Sequence, residues 1–139
     1  DVRRRFLGGT TNVASMYHAV EGVRILLDLG LDTVRAHSLS LTQQAIERAD
    51  AADLSLRSPR DPEARSAMVL LEVPEAEKLT AHLKAHDIYT DSRRNEVVRM
   101  APFLWNTAEE IHRTFDRIED ALSSGAYREA PVESGGPVT

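Results

Sequence analysis

A single arginine, Arg99, interrupts the apolar run Val97-Val98-Arg99-Met100-Ala101, which otherwise has the character of a strand. A guanidinium inside such a run loses hydration and needs an anion to offset the loss. Its planar fork suits a carboxylate held by two parallel hydrogen bonds. The run then passes through Pro102 to Asn106-Thr107, with Glu109 and Glu110 following, which is the pattern of a helix start. The stretch 90–107 is therefore read as ending in a strand with one arginine in its apolar part, leading into a capped helix. Two readings of Arg99 stay open on spacing alone: a structural salt bridge, or a grip on a small carboxylate such as an amino acid.

Around this stretch the chain alternates helical and strand-like patterns. Val13, Met16, Tyr17, Val20, Val23 and Leu27 recur at helical spacing, with Asn12 placed to cap the start and Gly30 to stop the end. A second helix is predicted from Asp32 or Thr33 to about Ala51, carrying Val34, Leu41, Ala45 and Ala49 inward. Residues 54–65, with Pro59 and Pro62, read as a loop. Met68-Val69-Leu70-Leu71 reads as a strand buried on both faces, and Pro74 as the opening of a helix that carries Leu79 and Leu83 and ends near His86. Ile88–Ser92 and Glu96–Ala101 read as two more strands. The last helix has Ile111, Phe115, Ile118 and Leu122 on one face.

The fold class expected is α+β, a small sheet of about three mostly antiparallel strands packed with four helices. Residues 1–11 read as a linker, 12–127 as one small domain and 128–139 as a disordered tail. The chain opens at Asp1 in a polar, arginine-rich run, so a piece of a longer protein is expected.

Composition excludes several classes of function. A net charge of −5 disfavours a nucleic-acid partner, which needs a basic face. No apolar run reaches bilayer length, and the start carries no signal-peptide pattern, so a cytoplasmic location and no membrane partner are expected. The absence of cysteine removes disulfides, thiolate nucleophiles and cysteine metal sites. His82 and His86, four apart on one predicted helix and followed by Asp87, have the spacing of half a metal site, but no matching acidic residue completes the motif. A solvated pair is the reading adopted, and no metal is expected. Arg3-Arg4-Arg5 reads as a solvated charge run. Gly8-Gly9-Thr10 before a helix offers free backbone N–H groups and a hydroxyl to a phosphate.

Two separated segments resemble one family. Arg5-Phe6-Leu7-Gly8-Gly9-Thr10-Thr11-Asn12-Val13 resembles the Arg-Phe-x-x-Gly-Thr-Pro-Asn segment of class V aminotransferase-like enzymes of fold type I, which depend on pyridoxal 5'-phosphate. Asp91-Ser92-Arg93, then Arg99, then Trp105-Asn106-Thr107 resembles the Asp-Phe-Arg, Arg and Tyr-Asn-Thr pattern near the end of kynureninases and their relatives. The resemblance spans the chain to Tyr127 and implies the small C-terminal domain of such an enzyme. It implies that Arg99 holds the α-carboxylate of an amino-acid substrate. Gly9 and Thr10 would approach the cofactor phosphate, usually that of the neighbouring subunit of a homodimer, and Asn106 and Thr107 would be structural caps. The large cofactor-binding domain of the same protein would be the intramolecular partner.

This sequence departs from the pattern at Thr11, where proline is usual, and at Trp105, where tyrosine is usual. Cysteine desulfurases of the superfamily carry a cysteine on this domain, so the cysteine-free chain disfavours that activity, while kynureninase-like carbon–carbon cleavage, carbon–sulfur cleavage, epimerisation and transamination stay open. Lys78 and Lys84 are the two lysines, and neither sits where the resemblance places the Schiff-base lysine. No catalytic residue is therefore expected in this chain, which alone would be inactive. The reading from a different class is a stand-alone α+β module that binds a small carboxylate or a protein partner.

Overall fold

In a computed structural model, Gly9 and residues 12–132 are described. The expectations for Thr10, the remainder of the 1–11 linker and the 133–139 part of the tail lie outside them. Helix α1 spans Val13–Leu29 and helix α2 spans Leu31–Ala51; strand β1 is Val69–Glu72, helix α3 Ala76–Lys84, strand β2 Asp91–Arg93, strand β3 Val97–Met100 and helix α4 Ala108–Ser124. A 3₁₀ turn follows at Ala126–Glu129. The chain divides into two compact units, Asp1–Val34 and Arg35–Thr139, at a boundary inside α2.

In the first unit, α1 begins as its sequence dictates. The Asn12 side chain accepts from Ser15 N–H at 3.2 Å, and Gly30, at φ +81°, closes the end by donating to Leu26 and Leu27 carbonyls, both at 3.1 Å. None of its residues is buried, so Val13, Met16, Tyr17, Val20, Val23 and Leu27 all face solvent.

The second unit holds the core. Its sheet has the order β1-β3-β2, with both pairings antiparallel. Because side chains alternate along a strand, Val98 and Met100 point into the core and the intervening Arg99 points to the opposite face. Leu41, Ala45, Ile46 and Ala49 of α2 pack in one cluster with Val69, Leu71, Leu79, Leu83, Ile111, Phe115, Ile118 and Tyr127. In α4 it is Ala121 that is fully buried, while Leu122 is partly buried against the cluster. The α+β architecture, with four helices and three antiparallel strands among the described residues, is the one expected.

The bounds of β2 and the start of α3 differ from the sequence reading. β2 is Asp91–Arg93 rather than Ile88–Ser92, because Asp87 at φ +60° ends the α3 turn and only three residues reach the register with β3. Ile88 is buried outside any strand. α3 starts at Ala76, after Pro74 and a left-handed Glu75, φ +55°. Its first amides are satisfied from elsewhere: Asn95 Oδ1 accepts from Glu77 N–H at 3.0 Å, and Asn95 O from Ala76 N–H at 3.3 Å.

The hairpin joining β2 and β3 explains how Asn95 gets there. Arg94 and Asn95 have φ of +53° and +54°, and Glu96 N–H donates back to Arg93 O at 3.1 Å. Two central residues with positive φ define the mirror-image turn whose twist matches paired strands. The loop at residues 54–65 is held by arginines. Arg65, 3% exposed, donates to Arg60 O at 2.7 Å and to Gln43 Oε1 at 3.2 Å, while Arg35 donates to Pro62 O at 2.6 Å and to Arg65 O at 2.8 Å. No described helix is long and apolar enough to cross a membrane.

Candidate functional site

Arg99 lies on the central strand of the sheet, flanked in register by Asp91 of β2 and Leu70 of β1. Its side chain is 29% exposed, and its Nη2 donates to Asp91 Oδ2. The anion demanded by the sequence argument is thus supplied by the residue directly opposite. It is supplied to one nitrogen only. Arg99 Nε is buried with no acceptor, and Nη1 has none among the described residues.

Asp91 is shared with a second guanidinium. Arg93 Nη1 donates to Asp91 Oδ1 at 3.1 Å, and Arg93 Nη2 stands 3.0 Å from Asp91 Oδ2. The three groups together carry one net positive charge. A half-occupied arginine fork on the face of the sheet turned away from the core can hold a carboxylate. Nothing in this cluster is a nucleophile or a general base poised for chemistry.

The segment after β3 is rigid for reasons legible in its side chains. Thr107 Oγ1 accepts from Glu110 N–H at 3.3 Å while Glu110 Oε2 accepts from Thr107 N–H at 2.9 Å, a reciprocal capping box. Glu110 Oε2 also accepts from Asn106 Nδ2 at 3.1 Å, and Asn106 Oδ1 accepts from Phe103 N–H at 2.9 Å. The Thr107 amide, then the Asn106 side chain, lower the Glu110 pKa below its usual value. Asn106 and Thr107 are therefore caps that fix where the chain leaves β3.

A cleft of about 410 Å³ opens beside that segment, lined among others by Tyr89, Thr90, Met100, Trp105, Arg113 and Thr114. Arg99 does not line it. Trp105 is 76% exposed, with Phe103 edge-on to its ring at 4.9 Å between centroids.

The remaining candidates resolve more simply. The His82 and His86 rings are 4.7 Å apart, and His86 Nδ1–H donates to His82 O at 2.9 Å. Asp87 does not join them, and no group of three metal-ligating side chains exists among the described residues. Burial, then the neighbouring His86 and Arg117 charges, lower the His82 pKa. Gly9 has φ +146°, and no atom of the described residues lies within 4 Å of where a side chain would begin. Lys78 is paired with Glu75 at 2.8 Å.

Sequence reasoning missed Asp91 as the Arg99 partner and Arg65 as the clamp of the long loop. The first is a cross-strand neighbour eight residues away in a hairpin, detectable once the Arg94-Asn95 turn is placed. The second had no local signal.

The sequence model of the family described as "Kynureninase C-terminal domain" matches residues 34–118. A kynureninase of Bacillus cereus is 26% identical over 126 residues, which cover 87% of this chain and 29% of that protein. An uncharacterized aminotransferase of Bacillus subtilis, YcbU, is 29% identical over 117 residues, covering 84% of this chain and 31% of that protein. The chain thus spans about a third or less of the length of these relatives. Among solved structures, the apo cysteine desulfurase of Thermococcus onnurineus NA1 superposes with a TM-score of 0.80 at 21% identity, covering 86% of this chain and 34% of that one. A NifS-like protein gives 0.73 at 20% identity, covering 84% and 35%. At these identities the structural likeness is one of fold.

Proposed function

Because the chain belongs to the kynureninase C-terminal domain family, we propose that it is the substrate-recognition domain of a pyridoxal-phosphate-dependent enzyme acting on an amino acid. The reaction is kynureninase-like cleavage or a class V transamination. The observation that carries the reading is Arg99, a part-buried arginine on the sheet face away from the core, with one nitrogen held by Asp91 and the rest of its fork without an acceptor. In this role Arg99 binds the α-carboxylate and orients the amino acid, while the Thr107–Glu110 box keeps the following loop in place. Orientation of this kind lowers the barrier by fixing the reacting bond before chemistry begins.

Pyridoxal phosphate supplies the electron sink for the reaction at Cα. This chain's contribution to holding it is limited to Gly9 and Thr10, near the phosphate and across a homodimer interface; Thr10 lies outside the described residues. Both lysines, Lys78 and Lys84, are on α3. The cofactor lysine is accordingly assigned to a large domain of the same protein, in the cytoplasm, and this chain alone is assigned no activity. A persulfide mechanism like that of cysteine desulfurases has no nucleophile here, since the sequence holds no cysteine.

The test is made on the protein expressed at the full length of its gene. Borohydride reduction is expected to trap the cofactor on a lysine upstream of this domain. With L-kynurenine and L-alanine as trial substrates, Arg99→Ala is expected to lower kcat/KM for the accepted one by about 2–3 kcal/mol, the loss of a charge-assisted pair. That is roughly 30- to 150-fold. Absence of a lysine-linked cofactor, or an unchanged kcat/KM in Arg99→Ala, overturns the reading.

A further inference from the structure

Asp91 is the residue that decides what Arg99 is free to bind. The two stand directly opposite in the β2–β3 ladder, where side chains on one face are close enough to pair. Asp91 takes Nη2 of Arg99 and, through both oxygens, also contacts Arg93. Had Asp91 been the whole partner of Arg99, a carboxylate in bidentate contact with the fork would be expected. Instead Oδ1 is directed to Arg93, at 3.1 Å from its Nη1, and Arg99 Nε stays buried without an acceptor. Buried donors without acceptors are rare in folded proteins and mark places where a partner is missing.

The arrangement is also asymmetric in charge. Two guanidinium groups share one carboxylate, so Arg93 offsets much of the repulsion that Asp91 would exert on an arriving anion. Arg93 and Asp91 are both near half-exposed, at 55% and 45%, whereas Arg99 is less so, at 29%. The exposed pair thus frames the less exposed cation.

We propose that Asp91 is a positioning residue for carboxylate recognition: it anchors Nη2 of Arg99, with Arg93 as its counter-ion, and so holds the guanidinium in one orientation while Nη1, without an acceptor among the described residues, is left for an incoming carboxylate. The inference rests on the carboxylate-binding reading of Arg99 and assigns it a supporting residue. Without the anchor, the guanidinium would rotate among its rotamers and lose part of its orientational advantage on each binding event. A competitor would act in the opposite direction, since removing it would strengthen carboxylate binding.

The test uses this chain labelled with ¹⁵N-arginine and follows the arginine Nε–Hε resonances during titration with sodium acetate at constant ionic strength. Acetamide is the neutral control, and Arg99→Lys identifies the Arg99 signal by its loss. Acetate, but not acetamide, is expected to shift the Arg99 signal. Asp91→Asn and Asp91→Ser are expected to raise the acetate dissociation constant at least fivefold and to speed hydrogen exchange at Arg99 Nε. Asp91→Glu is expected to recover binding to within about twofold. Unchanged or tighter acetate binding in Asp91→Asn overturns the positioning role and makes Asp91 a competitor, leaving the Arg99 reading intact. No acetate response at Arg99 in the wild-type chain overturns the Arg99 reading, and the role of Asp91 falls with it.

Discussion

At the residue scale, charged side chains do different jobs according to burial. Arg48 of α2 reaches α4, donating to Asp116 at 2.7 Å and to Glu119 at 2.6 Å, with its guanidinium 5.9 Å from the Phe115 ring centre. Those two carboxylates raise its pKa, Glu119 first, and its side chain is 23% exposed. Arg48→Ala is expected to destabilise the fold by about 1 kcal/mol, a value discounted for the exposed acids. Urea unfolding of Arg48→Ala, Glu119→Gln and the double variant checks it, and strictly additive effects would show that the pair is uncoupled. Glu110 gives a pH prediction with a definite sign. Its folded pKa lies below the usual 4.5, so its contribution is present above that value and is lost as pH falls through the lower folded pKa. Glu110→Gln is expected to flatten that part of the acid limb of stability against pH. His82 works in the opposite charge sense: its folded pKa is lowered from 6.5, so the folded state holds fewer protons, and stability is expected to fall as pH drops below about 6.5.

At the element scale, the hairpin turn and the two helix starts are where single changes count. Arg94 occupies the left-handed region at φ +53°, which costs a residue with a Cβ about 1 kcal/mol relative to glycine. Arg94→Gly is therefore expected to raise stability by up to about 1 kcal/mol, partly offset by the greater freedom of glycine in the unfolded chain. A lowered melting temperature would refute this. Thr107→Ala removes half of the α4 capping box and is expected to cost about 1 kcal/mol. Asn95 has two roles, tolerating the left-handed turn and capping α3 through Glu77 N–H. Asn95→Gly keeps the turn and removes the cap, so slower hydrogen exchange lost specifically in the first turn of α3 is the outcome expected. The α4 cap was legible from Asn106-Thr107 and Glu110 because all its groups are adjacent in the chain. The α3 cap was not, because its acceptor comes from a different element.

At the scale of the whole molecule, the sequence by itself determined the alternation of helices and strands, the α4 inward face, the lone arginine in β3 and the family resemblance that the family match bears out. These are local quantities: periodicity, capping chemistry and short motifs act over a few residues, so a linear reading recovers them. The helical period of α1 was equally legible, yet none of its residues is buried. Its apolar stripe stands open to solvent, with Val20 and Val23 among the exposed residues. Val20→Lys with Val23→Lys is expected to reduce binding of an apolar fluorescent dye by this chain without lowering its melting temperature. What only the tertiary structure decided depends on strands and loops meeting across sequence. Register set Asp91 opposite Arg99, the left-handed Arg94-Asn95 turn carried Asn95 to α3, and the 54–65 loop folded around a nearly buried Arg65. Each is a pairing of groups whose separation in sequence carries no periodic signal. Physically, such pairings are favoured because leaving a buried charge or amide without a partner costs free energy once the core has closed.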